Sequence, residues 1–412
     1  MNFFYLLLYN LGIRIYAAGI SIASLWNSKA KRWINGRKGI IDKMKQQFNE
    51  NESYTWFHCA STGEFEQGRP LIEAYHKRWP DHKILLTFFS PSGFELRKNY
   101  AGADCVYYLP IDTASNASQF IGLIKPRLAI FVKYEFWYHF LKELQQQQVP
   151  ALLISATFRK EQLFFKWYGS PWRNVLHRFQ HLFLQDTGSL QLLHSIGVQH
   201  ATVSGDTRFG RVWQISQQPE ALNIIEDFKG TGKLFVAGSA WPVDERLLST
   251  QLQDRANSWK WVVVPHEISR HHLEELRNKF REQSVFYSSA TKEELAHKPI
   301  LIVDAVGLLS SIYRYADMAY IGGGFGKGIH NILEAAVFGI PVLFGPNYHK
   351  FNEAKDLLTL GAAASVYNGT TLTEYFLQFS TQPPSFASVN RNYVNQQKGA
   401  TEKIMHYLAE IN

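Results

Sequence analysis

The sequence predicts an α/β protein: two Rossmann-like, doubly wound domains in tandem facing a cleft, preceded by a membrane-anchoring helix. Three observations carry this. From Tyr54 onward, short apolar runs alternate with helical periodicity, the pattern of βαβ units around a parallel sheet. The alternation occurs twice, either side of a polar, glycine-bearing seam between about Asp206 and Lys233. Residues 3–26 form an apolar stretch long enough for a bilayer, which takes about 20 residues.

The expected boundaries are an anchor at 1–27, a basic juxtamembrane segment at 28–50, a first domain at 51–205, a linker at 206–232, a second domain at 233–395 and a terminal helix at 396–412. Strand candidates in the first domain are Thr55–Cys59, Ile84–Phe88, Cys105–Leu109, Leu128–Val132, Ala151–Ile154, His181–Leu184 and Thr202–Ser204. Those in the second are Leu234–Ala237, Trp261–Val264, Ser284–Tyr287, Ile300–Val303, Met318–Ile321, Pro341–Phe344 and Ala363–Val366. In such folds ligands sit at the carboxyl ends of the strands.

Hydrophobic residues make up 46% of the 412, which excludes wholesale disorder. The net charge of +8 is concentrated early: Lys29, Lys31, Arg32, Arg37, Lys38, Lys43 and Lys45 face one acid, Asp42. No zinc-finger spacing or RNP-type motif accompanies them, so they read as a patch beside a membrane, with a solvated basic face as the alternative. Asn10, Arg14, Ala17, Ser21 and Ser24 fall on one stripe of the N-terminal helix, which therefore either spans or lies in the interface. The basic run follows the apolar stretch, the reverse of a signal peptide, and places the body on the cytoplasmic side. Cys59 and Cys105 lack C-x-x-C spacing and read as reduced thiols.

The chemistry concentrates in loops after the strands. Met318 to Glu334 reads strand, glycine-rich loop, helix, with His330 and Asn331 opening the helix. Its glycines permit close approach and positive φ, and a helix N-terminus suits a phosphate. Glu334 is either part of a capping box with Asn331 or a carboxylate for ribose hydroxyls. Gly238-Ser239, Pro265-His266-Glu267, Gly307-Leu308-Leu309 and Gly345-Pro346 follow other strands. In the first domain, Glu64 follows a Ser-Thr-Gly turn and is a candidate general base, or a helix-start acid favoured by the macrodipole. Glu135 sits beside Lys133 after a buried strand, with an ion pair between them as the structural alternative. Arg208 in Gly205-Asp-Thr-Arg-Phe209 either stabilises a departing phosphate or forms an interdomain salt bridge. There is no D-x-D triplet to suggest a metal clamp on a diphosphate.

In this order, His58–Glu64 with Arg69-Pro-Leu71, Lys125-Pro126, Glu135-Phe-Trp137, Gly205–Phe209, Ala237-Gly-Ser239, Asp304–Leu309 and Gly322–Glu334 with Gly345-Pro346 resemble the 3-deoxy-D-manno-octulosonic acid (Kdo) transferases of lipopolysaccharide biosynthesis. The resemblance implies a GT-B fold, CMP-Kdo as donor without metal or other cofactor, and a lipid A precursor (lipid IVA) as acceptor at the cytoplasmic face of the inner membrane. It implies that the first domain takes the lipid and the second the donor. Carried over by position, Glu64 is the base and Glu135 and Arg208 are stabilisers. Ser239, Pro265, His266, Gly307, Leu308, Leu309, Asn331, Ile332, Leu333 and Glu334 line the CMP site. The chain departs from the family at Lys133 (usually Glu), Tyr138 (Pro), His266 (Arg), Glu267 (His), Leu308 (Glu) and Arg208 (commonly Lys). The competing readings are a membrane-associated GT-B transferase of a UDP-sugar and a non-catalytic nucleotide-binding scaffold.

Overall fold

The computed structural model describes residues 3–49, 52–218, 221–255, 259–381 and 385–411, with 251–255 and 385 described by backbone alone. Pro219 of the polar seam lies outside the described residues. The chain divides into two compact units, Met1–Gly210 with Lys398–Asn412, and Arg211–Gln397.

In the first unit the strands are β1 (Tyr54–Cys59), β2 (Lys83–Phe88), β3 (Cys105–Tyr108), β4 (Leu128–Val132), β5 (Ala151–Ala156), β6 (His181–Leu184) and β7 (Ala201–Val203). Their order is β3-β2-β1-β4-β5-β6-β7, and every pairing is parallel. Continuous apolar runs are what a sheet covered on both faces demands. On one face Trp56 packs among Phe120, Phe131 and Phe140. On the other, Phe57 and Phe65 join a cluster completed by Ile404 and Leu408 of the C-terminal helix Ala400–Ile411. Strand order reverses between β1 and β4, which marks the ligand crevice of an open α/β sheet.

The second unit has β8 (Lys233–Ala240), β9 (Trp259–Pro265), β10 (Ser284–Phe286), β11 (Ile300–Ile302), β12 (Met318–Ile321), β13 (Val342–Phe344) and β14 (Ala363–Ser365). The order is β10-β11-β9-β8-β12-β13-β14, again parallel, with the reversal between β8 and β12. The expected turn at Gly238-Ser239 is instead strand: β8 continues to Ala240 and bulges between Gly238 and Ala240 against β9.

The N-terminal helix, Phe3–Ala23, has no fully buried residue. Its polar stripe is split: Asn10 turns to the body while Arg14 is exposed. The basic run folds into the helices Ser28–Arg37 and Ile40–Lys45. Six of its seven cations are exposed, but Arg37 is buried. Arg37 donates to the carbonyls of Leu109 (2.8 Å), Trp33 (3.2 Å) and Phe89 (2.7 Å), and its guanidinium lies 3.9 Å over the Trp33 ring. Burial lowers its pKa to about 9. Arg37 is thus a structural clamp and not part of a lipid-facing patch.

Candidate functional site

In the first unit, polar side chains gather where β1, β4, β5 and β7 end. Ser61 caps the helix Thr62–Arg78, accepting from Gly63 N–H (3.2 Å), and its hydroxyl donates to Glu64. Glu64 is half-exposed, and among the described residues its other oxygen has no hydrogen-bond partner. A carboxylate with one oxygen fixed and one open is oriented and still able to accept a proton.

Glu135 is different. It is buried, at 7% exposure, and one oxygen accepts from both His58 Nε2 (3.0 Å) and Trp137 Nε1 (2.6 Å). The structural alternative, an ion pair with Lys133, is absent among the described residues; the partners are an imidazole and an indole. Register explains the contact. β1 lies between β2 and β4, so His58 is in register with Thr87 and one strand away from the loop that carries Glu135. Trp56 Nε1 donates to Thr87 Oγ1 (2.7 Å). Thr87 has two acceptors within reach, His58 Nδ1 at 2.8 Å and the Phe57 carbonyl at 3.4 Å. The shorter takes the hydroxyl proton, leaving His58 Nε2–H to donate to Glu135. Burial first, then the charges of Glu64, Glu135 and Glu66, push the Cys59 thiol well up, so both site carboxylates act on one buried atom at the end of β1.

Arg208 follows β7. Its Nε (2.9 Å) and Nη2 (2.6 Å) donate to Asp206 Oδ2, and its backbone N–H donates to Asp206 Oδ1 (2.9 Å). Gln185 (3.1 Å) and Gln67 (3.5 Å) also reach that carboxylate. Burial would raise the Asp206 pKa, but Arg208, its hydrogen bonds and Lys133 hold it below the usual carboxylate value. Asp206 therefore stays charged and fixes the guanidinium. His58 and Asp206 lie in segments singled out in the sequence but receive no role there, and Gln67 is not singled out at all. The available signal was a histidine inside an otherwise apolar strand, and an acid two residues before the arginine.

In the second unit the candidate residues meet at one rim. A Cβ on Gly238 would lie 1.8 Å from Tyr313 Oη and 2.8 Å from Leu309 Cδ1, so Leu309 sits directly over the end of β8. Gly307 has φ +85° and Leu308 precedes the short helix Leu309–Ile312. Pro265 ends β9 and is buried, and His266 N–H donates to the Ala240 carbonyl (2.8 Å). Ser239, half-buried at φ +51°, lies under the glycine-rich loop: a Cβ on Gly322 would come within 2.1 Å of its carbonyl oxygen. A Cβ on Gly324 would meet the Gly345 backbone at 2.6 Å. These glycines are required by backbone packing against neighbouring strand ends.

The loop is pinned. His330 N–H donates to Gly322 O (3.1 Å), and Asn347 donates through its backbone to Gly324 O (2.8 Å) and through its side chain to Gly326 O (2.8 Å). Asp244 accepts from Gly323 N–H (2.9 Å), Trp241 N–H (2.9 Å) and Tyr320 Oη (2.7 Å). The helix expected from His330 is one turn, Leu333–Ala336. Asn331 Oδ1 accepts from Leu333 N–H (3.2 Å), and its amide donates to Glu334 Oε1 (3.0 Å). Ser310 donates to Glu334 Oε2 (2.7 Å), joining the Gly307–Leu309 loop to this segment. Ile332 and Leu333 are fully buried, backbone included, so within this segment Asn331 and Glu334 present the surface open to a ligand.

Over the rim stand three rings. Trp241 stacks on His266 (4.3 Å, 21°), and His266 lies 4.5 Å from His330. Trp241 Nε1 donates to His330 Nε2 (3.0 Å). An indole N–H only donates, so Nε2 carries no proton. Burial and then His266 lower the His330 pKa to about 4, and burial lowers that of His266. Both rings are therefore neutral at pH 7.

The family described as 3-deoxy-D-manno-octulosonic-acid transferase (kdotransferase) matches residues 33–211. A 3-deoxy-D-manno-octulosonic acid transferase of Aquifex aeolicus is 27% identical over 80% of this chain and 86% of its own. One from Chlamydophila psittaci is 26% identical over 84% and 83%. A solved structure, the putative UDP-N-acetylglucosamine 2-epimerase of Listeria monocytogenes, superposes with a TM-score of 0.59 at 12% identity, covering 87% of this chain and 96% of that one, a likeness of fold.

Proposed function

We propose a reaction course for a chain that belongs to the 3-deoxy-D-manno-octulosonic acid transferase family and is thereby a glycosyltransferase of lipopolysaccharide biosynthesis. The donor is CMP-Kdo and the acceptor a hydroxyl of the lipid A precursor lipid IVA, met at the cytoplasmic face of the inner membrane. The acceptor oxygen attacks the anomeric carbon in line with the departing CMP phosphate, with inversion. One carbon–oxygen bond forms, another breaks, and the hydroxyl proton passes to Glu64. The half-fixed, half-open carboxylate of Glu64 is the observation that carries this assignment.

Glu135, held by His58 and Trp137, faces positive charge that develops at the anomeric carbon. Arg208, oriented by Asp206, offsets the charge left on CMP. Ser239, Pro265, His266, the backbone of Gly307–Leu309 and the segment Asn331–Glu334 hold the nucleotide. Because the His266 ring is neutral at pH 7, it serves the nucleotide by stacking or hydrogen bonding and not as the fixed cation that Arg would supply there.

Mass spectrometry of lipid IVA incubated with the protein and CMP-Kdo tests the reading, with UDP-N-acetylglucosamine in a parallel arm. Addition of Kdo only in the first arm is the expected result. Transfer from the UDP-sugar alone would replace the donor assignment, and no transfer by folded protein in either arm would leave a non-catalytic nucleotide-binding protein.

A further inference from the structure

The N-terminal helix is apolar enough to cross a membrane, yet one side of it is already engaged. Tyr9 Oη donates to the buried Asp112 (2.5 Å) and accepts from Tyr138 N–H (3.3 Å). Asp112 also accepts from the N–H groups of His139 and Phe140 (3.0 Å each), which open the helix Tyr138–Gln146. Asn10 Oδ1 pairs with His139 Nε2 at 2.7 Å. Leu6 packs on the core of the first unit, and the Tyr9 ring lies 5.8 Å from that of Trp172.

At about 100° per residue, the side opposite these contacts carries Phe4, Leu8, Leu11, Ile15 and Ile22. All five are exposed, and no polar residue interrupts them. Arg14 falls on the flank, a quarter turn away, where a long side chain reaches headgroups while its helix lies in the apolar layer. Trp172 is five residues from Trp167, which is 90% exposed and stands with Tyr168 and Leu163 as a second apolar projection of the same unit. Exposed Arg159 and Lys160 lie on the chain just before it, and exposed Lys29, Lys31 and Arg32 follow the N-terminal helix. Glu161 is the one acid in this company. Apolar projections fringed by cations complement an anionic bilayer surface.

We infer that Phe3–Ala23 lies in the plane of one leaflet, docked on its own domain, and that the Leu163–Tyr168 turn inserts beside it as a second lipid-binding element. A spanning helix would have to leave Asp112 and His139, stripping a buried carboxylate of a hydrogen bond and carrying Tyr9, Asn10 and Arg14 into hydrocarbon. An in-plane helix keeps those bonds and still buries its outer face in lipid. This rests on the membrane placement proposed above, but not on the sugar-transfer chemistry.

Two measurements test it. With protease-sensitive tags at both ends of the full chain, both tags should be cut in inside-out membrane vesicles and both spared in spheroplasts. Cleavage of the N-terminal tag in spheroplasts would overturn the in-plane helix. Trp167→Ser/Tyr168→Ser should bind phosphatidylcholine vesicles containing phosphatidylglycerol about tenfold or more weakly than the unsubstituted protein. Equal binding would overturn the second element, and failure of the unsubstituted protein to bind such vesicles would overturn the membrane placement itself. Neither measurement reads sugar transfer, so that reading stands or falls separately.

Discussion

The two strand-end rims follow different physical designs. In the first unit, side chains hold the charged groups: Arg208 by Asp206, Glu135 by His58 and Trp137, Glu64 by Ser61. In the second, the backbone does the holding, through glycines packed on neighbouring strand ends, with neutral rings above. A rim of fixed charges suits a step in which a proton moves and charge develops. A rim of close backbone and flat rings suits grip on a nucleotide. Substitutions should therefore separate: those in the first rim lowering turnover with little effect on folding, those in the second weakening folding and donor affinity together.

Glu64→Gln should show the largest effect. General-base assistance is worth about 10²–10⁴-fold, so kcat should fall by that range while the unfolding midpoint stays where it was. Near-normal turnover by folded Glu64→Gln would break the contrast at its centre, since the charged rim would then be structural.

The neutral rings of the second rim predict a pH dependence. His330 has a folded pKa near 4, below its ordinary 6.5, so the folded form resists protonation more than the unfolded chain does. The stability this represents is present above about pH 6.5 and is lost as pH falls towards 4. At about 1.4 kcal/mol per pKa unit the loss reaches up to about 3 kcal/mol, reduced by solvent screening at a half-buried ring. Asp206, whose pKa is held below the ordinary value, makes its loss below that window. Asp112, raised to about 6 by burial, works in the opposite direction: its contribution is full below its unfolded value and declines as pH rises towards 6. Urea unfolding of the unsubstituted protein and of His330→Asn between pH 7 and 4 isolates the histidine. The two curves should converge as pH falls; parallel curves would mean that His330 is not protonated on unfolding.

Gly322→Ala and Gly326→Ala probe backbone holding directly. A Cβ at Gly322 meets the Ser239 carbonyl oxygen at 2.1 Å, and backbone cannot swing aside as a side chain can. Overpacking of this kind costs typically about 1–3 kcal/mol. At Gly326 the nearest atom would be 3.5 Å away, ordinary contact. Thermal unfolding and CMP affinity should both suffer in the first variant and neither in the second. Equal behaviour would mean that the loop yields, and that its glycines serve the ligand more than the fold.

Parts of this design were legible in the sequence for a physical reason. Strands of a sheet covered on both faces are continuous apolar runs, so central strands such as β1, β4, β5, β8 and β12 fall on runs visible in the sequence. Gly238-Ser239 read as a turn because glycine and serine usually make one; that Tyr313 and Leu309 fill the space above Gly238 is tertiary information. His330 and Asn331 read as the opening of the helix, but the loop around Gly328, at φ +140°, delays it until Leu333. Glu64 was visible because its partner Ser61 is local. The His58–Glu135 bond was not, since it joins residues 77 apart and exists only because β1 lies between β2 and β4.

Ser61→Ala gives the smallest effect and the finest division of the comparison. Ser61 accepts from Gly63 N–H as a helix cap, and it donates to Glu64. Loss of a serine cap costs about 1 kcal/mol. If Ser61 only caps, that stability change should appear alone, and Ser61→Asp, which still caps, should restore it fully. If Ser61 also fixes Glu64 as the proposed base, Ser61→Ala should lower kcat several-fold with KM for the acceptor little changed. Ser61→Asp should then restore stability without restoring kcat, because a carboxylate accepts at the cap but has no proton to give Glu64. Parallel stability and turnover measurements on the two variants distinguish these outcomes. A full recovery of kcat in Ser61→Asp would place Ser61 with the fold, and leave the orientation of Glu64 to the helix alone.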